Sequence, residues 1–157
     1  MRFYSTLTYL APLLASASPL TTRAGGPSIV PIPTNCTLTN PFPHASCSNT
    51  TANGYMPSSN FTSTHLAYSA YFEGSSSPSA QATQCIQQCY GLGPSGACKS
   101  AMLGYQIPTP PGLFGTAGGV LETACLMFDT YLDPHIFVAA PRGQYLNATA
   151  KNIYCPL

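Results

Sequence analysis

The chain has 157 residues, enough for one domain and not comfortably two. Only 6% are charged and the formal net charge is +1, against roughly a quarter charged in ordinary domains. That excludes an electrostatic footprint for nucleic acid or an anionic membrane, and with ten Tyr, seven Phe and no Trp the aromatic bulk must be phenyl and phenol rings.

The first stretch, MRFYSTLTYLAPLLASASPL, reads as a secretory signal peptide over 1–17. Arg2 supplies the positive start, Phe3 to Leu14 is mostly apolar, and Ala15-Ser16-Ala17 is a small-residue cleavage site. The run is too short, and too interrupted by Ser and Thr, to span a bilayer. The end, AKNIYCPL, lacks the hydrophobic tail of a lipid-anchor signal. The expected location is therefore extracellular or cell wall, with no membrane partner. In an oxidising compartment thiols pair. Seven are present (Cys36, Cys47, Cys85, Cys89, Cys98, Cys125 and Cys155), so at most three bridges form within the chain and one thiol is left over. The same compartment gives meaning to four Asn-x-Ser/Thr sites, at Asn35, Asn49, Asn60 and Asn147.

Residues 18–63 are dominated by Pro, Thr, Ser and Asn. TTRAGGPSIVPIPTN is a linker by composition, and the whole segment is expected to be an extended, glycosylated arm. From Thr64 the domain begins, over 64–157. THLAYSAYF alternates with period two and reads as a strand, ended by Glu73-Gly74-Ser75. Ser77 caps a helix with Pro78 at its first position. Ala82, Cys85, Ile86, Cys89 and Tyr90 share its apolar face, Gln81, Gln84, Gln87 and Gln88 its wet face, and Gly91 ends it. The turn LGPSG leads to a strand over Ala97–Tyr105. Gln106–Gly119, QIPTPPGLFGTAGG, carries too many prolines and glycines for regular structure and reads as a 14-residue loop. VLETACLMF is a strong strand, IFVAA a short one, and the tail from Arg142 a loop tied down near Cys155.

The spacing Cys85-x3-Cys89-x8-Cys98-x26-Cys125, on helix, helix, strand and strand, resembles the PAN/apple superfamily. The chain as a whole is similar to small secreted cysteine-rich proteins of filamentous fungi. The resemblance spans about residues 64–140. It implies an α+β fold, one helix stapled by disulfides to a curved antiparallel sheet, with Cys85 joined to Cys125 and Cys89 to Cys98. Two thiols one helical turn apart both point at the sheet and are poorly placed to join each other. The Cys85–Cys125 closure over about 40 residues is worth about 4 kcal/mol in the chain-entropy account. For the third bridge Cys155 has Cys47 or Cys36 as partner, or Cys36 joins Cys47. We take Cys47–Cys155, leaving Cys36 unpaired or available for a disulfide-linked dimer.

No catalytic, cofactor or metal constellation stands out. Cys-x3-Cys without a second ligand pair is not zinc-site spacing. His44, His65 and His135 have no recognisable nucleophile beside them. Of the four acids, Glu73, Glu122, Asp129 and Asp133, none is aimed at another as a glycosidase requires. Asp133-Pro134-His135 is most simply a turn. The expected function is thus non-enzymatic: a secreted binding or interaction module for a protein or glycan ligand. The alternatives are a structural cell-wall or matrix protein, or a small hydrolase with Glu122, Asp129 or Asp133 gathered near a histidine. The candidate ligand loop is 106–119, with Leu113 and Phe114 held between Gly112 and Gly115. Tyr105, Tyr131 and Tyr145 are candidate faces for a sugar.

Overall fold

A strand buried on one face alternates apolar and polar residues, whereas one buried on both faces reads as an unbroken apolar run. SAMLG and ACLMF are such runs, and they form the middle of the fold in the computed structural model, which describes residues 27–42, 54–72, 76–92 and 97–156. The elements are β1 (Thr37–Thr39), β2 (Tyr55–Pro57), α1 (Ser59–His65), β3 (Leu66–Phe72), α2 (Pro78–Gly91), β4 (Ser100–Pro108), β5 (Leu121–Phe128), β6 (Phe137–Ala139) and β7 (Leu146–Tyr154). Five of them make an antiparallel sheet in the order β1-β7-β4-β5-β3, and β2 pairs with β6 in a separate ribbon. The expected leader, the Glu73-Gly74-Ser75 stop, the turn at 93–96, His44, Cys47 and Asn49 lie outside the described residues.

The sheet has a core on each side. On one, Ala101, Leu103, Cys125, Met127 and Ile153 meet Cys85 and Cys89 of α2. On the other, Met102, Ala124, Leu126, Phe128, Ala148 and Ala150 meet Phe61 of α1, Ile136, and Phe137 of β6. The architecture is α+β, but with two α-helices where the resemblance implied one. A bulge in β4 at Gln106, φ 58°, lets the strand change side. Met102 before it and Ile107 after it, opposite in parity, therefore fill the same core.

α2 starts where its sequence says it should. Ser77 accepts a hydrogen bond from the Ala80 amide, and Pro78 takes the first turn. The expected apolar face meets the sheet: Cys85 and Cys89 are buried, and Ala82, Ile86 and Tyr90 pack against the same core. The buried stripe is wider than expected, because Gln81 and Gln88, read as wet-face residues, flank the bridged cysteines and are buried with them. Gln81 is satisfied there by the Tyr105 hydroxyl, which donates to Oε1 at 2.9 Å.

The described parts of the segment read as an arm, 27–42 and 54–63, are built into the domain. Ile32 packs into the α2-side core, and the Val30 amide donates to the Gln87 carbonyl at 3.2 Å. β1 pairs with β7 and β2 with β6, while Phe42, and Phe61 of α1, pack against the opposite core. These elements are three to seven residues long, too short to show a period against a Pro- and Ser-rich background. A second correction is the C-terminal tail. Instead of a loop, it forms β7, a nine-residue strand between β1 and β4. It buries Ala148, Ala150 and Asn152, small or polar, toward one core and Ile153 toward the other, so the apolar alternation of a strand is muted.

Asn152 closes the structure at this edge. Its Oδ1 accepts from the Leu132 amide and its Nδ2 donates to the Leu132 carbonyl, each at 2.9 Å in a buried setting. The Ser100 hydroxyl donates to the Thr130 carbonyl at 2.7 Å. The link between β5 and β6 is thereby held across the ends of β4 and β7. Asn152→Ala strands both main-chain groups of Leu132, and we expect a loss of about 2–3 kcal/mol, read by urea unfolding with the disulfides intact.

Candidate functional site

Both faces of the central strands β4 and β5 are covered, while β1 and the start of β3 are exposed, so the surfaces available for recognition are the ends, edges and loops of the sheet. Three bridges frame them. Cys85–Cys125 and Cys89–Cys98 fasten α2 to β5 and to the start of β4, the pairing the resemblance implied. The third departs from expectation. Cys155 is joined to Cys36, not to Cys47, with a Cα–Cα separation of 4.2 Å. The cause is β1: once Thr37 pairs with Tyr154 in the β1–β7 ladder, the next residues outward are Cys36 and Cys155. A three-residue strand concealed that proximity from the sequence.

The β4–β5 connection is shorter and more ordered than a 14-residue loop, since Gln106–Pro108 still belong to β4. Across its neck the Thr109 amide donates to the Val120 carbonyl and the Gly119 amide to the Thr109 carbonyl, both at 2.8 Å. Thr109 is buried, and its hydroxyl accepts from the Val120 amide. Gly118 sits at φ +83° against Pro110 and Pro111, where a Cβ would come within 2.6 Å of the proline backbone. Leu113 lies half-buried in a 3-10 turn at the tip. The side chain of Phe114 falls outside the described residues. The outward apolar groups are ones the sequence did not single out: Val120, 48% exposed, and Leu121, 42% exposed.

The proposed sugar-facing tyrosines are dispersed. Tyr105 is engaged with Gln81. Tyr145 is half-buried in the second core near Tyr71. Only Tyr131 faces solvent, and it stacks on Tyr154 at 4.3 Å between ring centroids with 21° between planes. The Lys99 ammonium lies 5.8 Å from the Tyr131 ring centre. Tyr154 was not expected here, because its role depends on β7.

The three described acids, Glu122, Asp129 and Asp133, do not converge. Glu122 and Asp129 stand at opposite ends of β5, about 20 Å apart at the usual rise of a strand, too far to share one glycosidic bond. Asp133 accepts from the His135 amide at 2.8 Å and so caps a short 3-10 turn. Asp129 does meet a histidine: its Oδ1 lies 2.9 Å from His65 Nδ1. That pair is solvent-exposed, and the Asp129 amide also donates to the His65 carbonyl. It ties the end of α1 to the end of β5. Among the described residues no group of three or more His, Cys, Asp or Glu side chains is placed to hold a metal ion. No helix there is long and apolar enough to cross a membrane.

Burial raises the phenol pKa of Tyr71 and of Tyr145 above 10, and the neighbouring Tyr71 raises Tyr145 further. In the unfolded chain the phenols ionise first. Their contribution to stability is thus full below pH 10 and is lost as pH climbs through 10 toward the raised folded values. Unfolding midpoints measured across this range should fall with pH, and Tyr145→Phe should flatten the slope while leaving stability at neutral pH little changed.

Comparison with protein-family models, with curated proteins and with solved structures returned no match for this chain.

Proposed function

We propose that the chain is a secreted, non-enzymatic binding module of PAN/apple type. It takes a protein or neutral glycan ligand at the end of the sheet closed by residues 109–120. The observation that carries this reading is the construction of that loop. Its neck is cross-braced by the backbone, its interior is packed by prolines against Gly118, and it presents Val120 and Leu121 to solvent. A rigid frame that displays a pre-ordered loop loses little entropy on binding. The near-neutral composition suits an uncharged ligand surface. The helix-on-sheet arrangement with two helix bridges is what supports the family reading.

A screen of the mature protein against cell-wall polysaccharides, a glycan array and extracellular proteins should yield a ligand. The double change Val120→Ser with Leu121→Ser should weaken it at least about tenfold. Changing Leu113 and Phe114 together to Ala tests the tip in the same way. Undiminished binding by both variants, with melting temperatures unchanged, would remove the loop from the account.

A further inference from the structure

We infer that Asn35 carries an N-linked glycan whose first sugar packs on the side of the Tyr154 ring away from Tyr131. The inference rests on the reading of the chain as a secreted glycoprotein. Of the four acceptor sites, Asn35, Asn60 and Asn147 are described and all three are exposed. Asn35 differs from the others in what lies beside it. Thr37, the hydroxyl residue of its own acceptor triplet, is the register partner of Tyr154. Residues directly opposite in an antiparallel pair are about 4.5–5.5 Å apart at Cα, and two residues of chain span at most about 7 Å. The Cα atoms of Asn35 and Tyr154 therefore lie within about 13 Å of each other, a span that an asparagine side chain and one sugar can bridge.

The ring has one side to offer. Tyr131, carried by the link held over β4 and β7, stacks on Tyr154. Tyr131 also lies beside Lys99, just before β4, and β4 and β1 flank β7 on opposite sides; the ring side away from Tyr131 is the one that, in this proposal, meets the sugar on Asn35. Tyr154 is 40% exposed. A phenol ring in that position is an apolar face left in water. The C–H face of a pyranose covers such a surface while leaving its hydroxyls solvated. A sugar joined covalently to Asn35 needs no affinity of its own to stay there, because it is held at a high effective concentration.

The bridge does not obstruct attachment. Cys36 is the middle residue of the triplet, but its partner lies 119 residues downstream. At synthesis rates of about 5–20 residues per second, Cys155 follows Asn35 by several seconds. The triplet is thus open during chain entry, and the later Cys36–Cys155 closure brings the sugar onto the ring.

The full chain should be made in a eukaryotic secretory host and trimmed to one N-acetylglucosamine per site. Peptide mass spectrometry then reports occupancy. Asn35→Gln should lower the melting temperature by roughly 2–4 °C in the parent and by almost nothing in a Tyr154→Ala background. Asn147→Gln should have the same effect in both. Independently of variants, the protons of the Asn35-linked sugar should show upfield ring-current shifts in an NMR spectrum of the parent. Equal losses in both backgrounds, or unshifted sugar protons, would overturn the inference. So would an empty Asn35 beside an occupied Asn60 or Asn147. Empty sites throughout, with the protein retained in the cell, would instead overturn the secreted reading beneath it.

Discussion

The fold depends on two covalent bonds that leave one turn of one helix. Cys85 and Cys89 sit four residues apart on α2 and are bonded to β5 and to the start of β4. Together they fix the rotation of the helix about its axis as well as its position. The rest follows from that choice. Gln81 and Gln88 are carried inward with the cysteines, and Tyr105 on β4 answers Gln81. The N-terminal segment then lies along the end of the helix, close enough that a side chain at Gly91 would strike the Ser28 carbonyl. A chain with so little charge and so few large aliphatic residues has limited means of holding a sheet together. Loop closure over a sequence separation of 40 is worth about 4 kcal/mol and over 119 about 5 kcal/mol, a large fraction of ordinary domain stability.

Covering both faces of the central strands has a consequence for recognition. Met102, Met127 and Phe128 are almost wholly inaccessible, so β4 and β5 form the frame. The loop we propose as the ligand site lies at one end of that frame. At the other end the Tyr131–Tyr154 pair marks the corner where β1, β7 and the terminal bridge meet. The first exposes the apolar Val120 and Leu121. The second is an aromatic pair close to the Asn35-Cys36-Thr37 triplet.

The middle of this structure was legible in the sequence because its signals are local. Ser77-Pro78 marks a helix start, and ACLMF reads as a buried strand from composition alone. β7 was not legible because a strand that buries Ala148, Ala150 and Asn152 has no apolar alternation to read. The N-terminal segment was hidden by brevity, since a strand of three residues is defined by its partner and not by its own side chains. The mistaken partner of Cys155 follows from both misses: without β1 and β7 side by side, nothing distinguishes Cys36 from Cys47. The exposed surfaces suffered likewise. Tyr154 became a candidate only when β7 was placed, and Val120 and Leu121 only when the neck of the loop was seen to close. The separation of Glu122 and Asp129 was legible, since the two are seven residues apart around a strand.

The central claim is the covalent framework, and peptide mapping of the unreduced protein tests it most directly. Digestion at acid pH, with free thiols alkylated beforehand, should yield three linked pairs: Cys85 with Cys125, Cys89 with Cys98, and Cys36 with Cys155. A linkage between Cys85 and Cys89, or between Cys47 and any of these six, would contradict the account.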